Sequence, residues 1–314
     1  MFSRLGSRRA QRSCLECYTG NRLVLFFAYD GSLGGSWVAH YAVRFAATTA
    51  ARRLHLVHVH EAGGPHAQVL DRMARIGAEC ALLGVALETE LIASPLPAGS
   101  AQAVEVASRI LDVVPPGAMV LAGARAKARA GALLAGTVSA RLLAARQVSV
   151  VAIRVVHPGA LGQPGRVLLP VVDRAGFVAG ALPVLRLLAP DLEHLHLALI
   201  HQVSSVRARF QSTAAAQELV GDGRRRLLEL EAEVRAGLAP HQPLVDSSVA
   251  LAPDSAREIV LQAARHRARL ICLDAAYSPR LRALRALSTE TTLERVLRDA
   301  PADVAIFRSV RSMP

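Results

Sequence analysis

The chain repeats itself, and that repeat limits what it can fold into. Val24-Leu-Phe-Phe-Ala-Tyr-Asp30 is echoed by Val167-Leu-Leu-Pro-Val-Val-Asp173. Each is an uninterrupted apolar run ending in Asp, followed by a glycine-containing turn and a helical pattern. Leu54–His60 is echoed by Leu195–His201, Ala118–Gly123 by Arg269–Asp274, and Val148–Arg154 by Ala302–Arg308. The copies stand 143 residues apart at Asp30 and Asp173 and 154 apart at Arg154 and Arg308. The second copy has therefore gained about eleven residues, which we assign mostly to its second helix and to the loop after its fourth strand.

Short, unbroken apolar runs suit strands buried on both faces of a parallel sheet. Helical patterns lie between them, over 34–50, 66–83, 100–113 and 137–146, then 175–189, 206–237, 254–267 and 290–300. Strand patterns at 85–92 and 245–252 complete the copies. The order β-α-β-α-β-α-β-α-β, twice, predicts parallel sheets with right-handed crossovers. The fold class is α/β: two tandem Rossmann-like domains, each a five-stranded parallel sheet flanked by helices. We divide the chain into a disordered basic tail over 1–20, a first domain over 21–156, a Pro- and Gly-marked linker over 157–165 and a second domain over 166–314.

Composition supports two cores and excludes several function classes. Of 314 residues, 52% are apolar and 20% charged, enough apolar material for each half to bury a core. The net charge is +12, and apart from Lys127 every Lys/Arg cation is Arg. Those arginines are spread along helices and loops, with no arm that interleaves aromatics, which argues against nucleic acid as the partner. Four cysteines, Cys14, Cys17, Cys80 and Cys272, are too few for a disulfide framework. The Cys14-x-x-Cys17 pair precedes the first strand and has no second ligand pair at zinc spacing. The apolar runs fall short of the roughly 20 residues a membrane span needs. Residues 1–20 hold Arg4, Arg8, Arg9 and Arg12 but no apolar stretch of a secretory leader, so we expect a cytoplasmic protein.

In open parallel sheets ligands bind beyond the carboxyl ends of the strands. Three pieces of the first copy should meet there. Asp30-Gly31-Ser32 follows strand one; its Asp can accept hydrogen bonds from a ribose or an amino group, or simply cap a helix. Gly123-Ala-Arg-Ala-Lys-Ala-Arg-Ala-Gly131 follows strand four; its small residues allow close backbone approach, and Arg125, Lys127 and Arg129 either surround phosphates or are solvated. Gly136-Thr137-Val138-Ser139 opens the fourth helix, where backbone N–H groups attract anions and Thr137 and Ser139 add hydroxyls.

Both copies resemble universal stress protein domains, over about residues 22–310. The nucleotide-binding pattern of that family is G-x2-G-x9-G-[ST]. Here Gly123 opens it, Ala126 stands where the second glycine belongs, and Gly136-Thr137 follow at the family spacing. The resemblance implies binding of ATP or another adenine nucleotide, with Mg²⁺ as an optional companion. Asp30 would hold the adenine or ribose, helped by the backbone of Ala28 and Tyr29. Val59 would pack near the base, Ala122 and Gly123 would line the ribose, and Gly136, Thr137, Val138 and Ser139 would bind phosphates. Ala126 costs roughly 1 kcal/mol if the glycine it replaces has positive φ, and it narrows the phosphate space.

The second copy departs from the pattern. Arg174 follows Asp173 where Gly31 follows Asp30, Asp274 occupies the position of Gly123, and Glu290 that of Gly136. Two carboxylates would repel phosphate, so this copy reads as a structural partner that binds no ATP, with Thr291 and Thr292 available to cap its last helix and Arg280, Arg282 and Arg285 on its loop. The family's last strand, here Val148–Val155 and Val304–Val310, commonly mediates dimer contacts, which implies an internal pseudo-dimer or a homodimer.

Other constellations carry less. His55, His58 and His60 read as strand-end histidines with ordinary hydrogen bonds. Arg224-Arg-Arg226 with Glu229, Glu231 and Glu233 reads as a salt-bridged exposed helix face. No paired carboxylates form an acid/base couple, so at most slow ATP hydrolysis is expected. The leading expectation is a stress-response regulator that reports adenine nucleotide to an unidentified protein partner. The rivals are a scaffold that has lost nucleotide and a slow ATPase of the same superfold.

Overall fold

The computed structural model describes residues 23–60, 64–94, 103–124, 134, 137–158, 163–203, 213–276 and 291–310. The first half contains β1 (Leu25–Ala28), α1 (Leu33–Thr48), β2 (Arg53–His60), α2 (Ala67–Leu82), β3 (Ala86–Ala93), α3 (Ala103–Val113), β4 (Met119–Gly123), α4 (Val138–Ala144) and β5 (Ser149–Arg154). The second contains β6 (Arg166–Val171), α5 (Phe177–Leu188), β7 (His194–Gln202), α6 (Thr213–Leu238), β8 (Leu244–Ala252), α7 (Ser255–Arg265), β9 (Leu270–Asp274), α8 (Thr292–Asp299) and β10 (Asp303–Arg308). The alternation read from the sequence is present in both halves. Within each half every pairing is parallel.

The halves do not keep separate sheets. They share one ten-stranded sheet in the order β3-β2-β1-β4-β5-β10-β9-β6-β7-β8. The seam is antiparallel, with Arg154 opposite Val304, Ala152 opposite Ile306 and Val150 opposite Arg308. By the repeat, Ala152 and Ile306 are equivalent residues, so each faces its own counterpart, as in a two-fold dimer interface. The last strands of the two repeats thus pair with each other within this chain. Hydrogen bonds flanking the seam repeat too: Asp303 Oδ1 accepts from the Val156 N–H at 2.7 Å, and Ser149 Oγ, in the matching position, accepts from the Val310 N–H at 3.1 Å.

The crossovers explain the layers. The chain moves outward from β1 to β3, then returns past β1 to β4 and β5, so its helices split between the faces. One continuous core joins α1 and α2 to α5 and α6, through residues such as Tyr41, Phe45, Ile76, Phe177 and Leu230. The opposite core joins α3 and α4 to α7 and α8, through Ile110, Leu142, Ile259 and Val296. Both cores cross the seam. The outer strand β3 carries Glu88, Thr89 and Glu90 and is largely exposed, a polar edge that discourages further pairing. Among the described residues no helix is long and apolar enough to cross a membrane.

Helix α6 modifies one expectation. Arg226 pairs with Glu229 at 2.8 Å on the exposed face, but Glu231 turns inward, is buried, and takes Arg235 at 2.7 Å. The tail over 1–20, with Cys14 and Cys17, lies outside the described residues. Cys80 and Cys272 are buried and unbridged.

Asp303 ties the halves together at the seam's end. Its buried carboxylate accepts from the Tyr41 hydroxyl of α1 at 2.6 Å and from the N–H groups of Val156 and His157 at 2.7 and 3.2 Å. Burial, then the adjacent carboxylate, push the Tyr41 phenol far above its usual range, so it remains a donor. Tyr41→Phe should destabilise the chain by about 1.5–3 kcal/mol, the range of a hydrogen bond to a charged group. Equilibrium urea unfolding of the variant against the parent measures it.

Candidate functional site

The order β3-β2-β1-β4-β5 reverses direction between β1 and β4. The helices that follow these strands, α1 and α4, contribute to opposite cores. The strand ends diverge into opposite layers there, which creates the crevice where ligands bind in open α/β sheets. The same reversal occurs in the second half between β6 and β9.

At the end of β1, Ala28 and Tyr29 are buried and Asp30 is exposed. Asp30 Oδ1 accepts from the Ser32 N–H at 2.9 Å, closing a tight turn. Ser32 caps α1 by accepting from the Gly35 N–H at 2.9 Å. Gly31 has φ +75°, and a Cβ there would come within 2.9 Å of Val69. Gly35 is as constrained, because a Cβ would lie 2.3 Å from Asp30 Oδ1. Small residues at 31 and 35 therefore set the Asp30 carboxylate where it stands. Below the turn, buried His58 holds the Tyr29 carbonyl through Nδ1 at 2.9 Å, and Arg72 of α2 donates to the Gly31 carbonyl. Burial raises the Tyr29 phenol, which meets Ser36 Oγ at 2.9 Å. The roles of His58 and Arg72 were not legible in sequence, since one reads as a strand residue and the other as an ordinary polar helix residue.

Across the crevice, Ala122 is buried at the end of β4 and Gly123 is partly buried. Val59 and Val138 are partly buried against the core of that face. Thr137 caps α4: its Oγ1 accepts from the Ala140 N–H at 3.1 Å and donates to the Leu134 carbonyl at 2.6 Å. Ser139 is buried, and its hydroxyl donates to the Gly123 carbonyl at 2.6 Å, tying α4 to the end of β4. Both hydroxyls expected to reach phosphates thus make protein contacts. Glu294 of α8 reaches across from the second half, its Oε1 accepting from the Leu134 N–H at 2.8 Å. Ala126, Gly136, Arg125, Lys127 and Arg129 lie outside the described residues.

The second half carries an ion pair at the matching positions. Arg174, at the position of Gly31, forms an ion pair with Asp274, at the position of Gly123. The equivalence follows from hydrogen bonding: the Ala124 N–H donates to the Ile153 carbonyl at 2.7 Å, and the Ala275 N–H donates to the Phe307 carbonyl at 2.8 Å. Asp274 is buried, and its other oxygen accepts from the Ala276 N–H at 2.7 Å. Two glycines on one side of the seam thus correspond to a guanidinium and a carboxylate on the other. Sequence reading found both substitutions but not their pairing. Thr291 caps α8 by accepting from the Glu294 N–H at 3.2 Å, while Arg280, Arg282, Arg285 and Glu290 lie outside the described residues.

Two of the three β2 histidines make ordinary strand-end contacts. His55 meets Glu88 at 3.1 Å, and His58 the Tyr29 carbonyl.

No family model and no curated protein matches the chain. Solved structures do. A universal stress protein from Archaeoglobus fulgidus DSM 4304 aligns over 91% of this chain and 96% of its own, at 15% identity and a TM-score of 0.55. A functionally unknown protein from Pseudomonas aeruginosa PAO1 aligns over 93% and 94%, at 16% identity and a TM-score of 0.54. The chain has the universal stress protein fold. Both alignments span both halves, so the tandem arrangement itself has counterparts.

The Arg174–Asp274 pair, absent from the equivalent positions of the first half, becomes destabilising if half of it is removed. Arg174→Ala leaves Asp274 buried without its cation. It should cost about 2–3 kcal/mol, below the 3–5 kcal/mol of a fully buried pair because the guanidinium reaches solvent. The Arg174→Met/Asp274→Leu double variant should recover most of that loss in the same urea unfolding measurement.

Proposed function

We propose that the first half binds an adenine nucleotide, ATP or a close relative, at the carboxyl ends of β1 and β4, and that the second half is its structural partner. The observation that carries this reading is the contrast between the two crevices. Gly31 and Gly123 leave backbone alone at the reversal point of the first half. The matching positions of the second half are closed by the Arg174–Asp274 ion pair. Asp30 supplies an exposed carboxylate for ribose hydroxyls or the adenine amino group, on a turn that fixes its direction. Ala28, Tyr29 and Val59 would border the base, and Ala122 and Gly123 the ribose.

Phosphates would lie toward Gly136, Thr137 and Val138, on backbone donors, since the Thr137 and Ser139 hydroxyls are engaged by the Leu134 and Gly123 carbonyls. Mg²⁺, where it takes part, would ride on the phosphates with water completing its shell. In the cell such a site would report nucleotide level or stress to a protein partner. The placement of the Ser139 and Thr137 hydroxyls favours a second reading, a scaffold without nucleotide, over the slow ATPase.

Titration calorimetry of the full chain with ATP, ADP and AMP separates the readings. One adenine nucleotide should bind at one site per chain. Asp30→Ala should weaken binding about 10–100-fold, by removing a hydrogen bond to a charged group worth about 1.5–3 kcal/mol. Gly35→Ala should weaken it too, by displacing the carboxylate without removing it. Flat titrations with all three nucleotides would defeat the nucleotide reading and leave the scaffold.

A further inference from the structure

The amino ends of β7 and β8 carry a second cluster, on the outer part of the sheet and away from the crevices. His194 and His196 alternate on β7 and so share a face, and Asp246 of β8 stands directly opposite His196. One carboxylate oxygen gathers both rings: Asp246 Oδ1 lies 2.6 Å from His196 Nδ1 and 2.9 Å from His194 Nε2. The three ligand atoms lie within 4.8 Å of one another. His194 Nε2 is buried and makes no hydrogen bond, so it faces the carboxylate without being aligned to it. His196 Nε2 meets Ser248 Oγ at 2.8 Å, and the His266 ring stacks on His196 with centroids 3.5 Å apart.

The repeat provides a comparison within the molecule. His55 and Glu88 of the first half occupy the same cross-strand pair as His196 and Asp246. Position 53, equivalent to 194, is an arginine, and Arg53 Nε meets Glu88 at 3.1 Å. A half-exposed guanidinium therefore pairs with that carboxylate. In the second half the guanidinium is replaced by an imidazole whose nitrogen points at the carboxylate unaligned. Among the described residues the ion-pair partners of Asp246 are the two histidines.

We propose that His194 Nε2, His196 Nδ1 and the Asp246 carboxylate form a binding site for a divalent transition cation, of which Zn²⁺ fits best, with a fourth position open to water. Two imidazoles and one carboxylate are a donor set that suits Zn²⁺. Tetrahedral zinc with these ligands places its donor atoms about 3.4 Å apart, a separation these three atoms reach by small side-chain rotations. Ser248 completes the arrangement. By accepting from His196 Nε2–H it would leave the Nδ1 lone pair facing the ion, the usual way a ligand histidine is oriented. Burial lowers both His196 and His266, the direction that suits a ligand imidazole. The bound ion would take the place of the Arg53 guanidinium and pin edge strand β8 to β7.

The test uses the full, tag-free chain carrying Cys14→Ser and Cys17→Ser, so that the tail thiols take no metal. Zn²⁺ is titrated in competition with a chromophoric chelator, and thermal unfolding is followed with and without Zn²⁺. One equivalent should bind per chain, with a rise in Tm. His194→Arg, which rebuilds the first-half arrangement, should keep the fold and abolish both effects, as should Asp246→Asn. Ser248→Ala should weaken binding about 10–100-fold, the range for a residue that only orients a ligand. The absence of a stoichiometric site, or one that His194→Arg leaves unchanged, overturns the proposal.

Discussion

The structure depends on one antiparallel ladder. β5 and β10 would each be the exposed edge of a five-stranded sheet, with unpaired N–H and C=O groups inviting another chain. Pairing them satisfies both edges at once and makes both apolar layers continuous across the molecule. Because Ala152 faces Ile306, its own equivalent in the repeat, the contact is self-complementary without being a contact between identical chains. Asp303 and Ser149 show how such an interface diverges. The two positions keep the same hydrogen bond to the backbone beyond the seam, but one has become a buried carboxylate that also holds Tyr41.

Much of this was legible in the sequence because the signals are local and repeated. Apolar runs such as Val167–Val172, bounded by Asp and Gly, mark strands buried on both faces, and two copies of each reinforce the reading. The crossover rules limit the order of strands within each half without choosing it, and the structure supplies β3-β2-β1-β4-β5. What the sequence left open was whether Val148–Val155 and Val304–Val310 pair with each other or with another chain. That choice depends on relative position in space, which no local pattern encodes.

Of the candidate site, the strand-end positions were legible in the sequence and the hydrogen-bond partners were not. Asp30 and Gly123 stand at strand ends flanking a reversal point, and position follows from topology. The partners of Thr137 and Ser139 do not, because a hydroxyl in the first turn of a helix serves a ligand or the backbone equally well in sequence. Ser139 and Gly123 are 16 residues apart, and Leu134 and Glu294 are 160 apart, so these bonds appear only once the chain is folded. The Arg174–Asp274 pair is of the same kind. Its members are 100 residues apart and meet because β6 and β9 are neighbours.

The seam also has a consequence for dilution. Two separate subunits associate with a strength set by their concentration and exchange partners at a finite rate. Here the partners are segments of one polypeptide, and their encounter is governed by an effective concentration that does not change when the protein is diluted. No other molecule's half can compete on equal terms for the place. The difference between the two crevices is therefore a fixed property of every single molecule, kept from averaging by the chain that joins them.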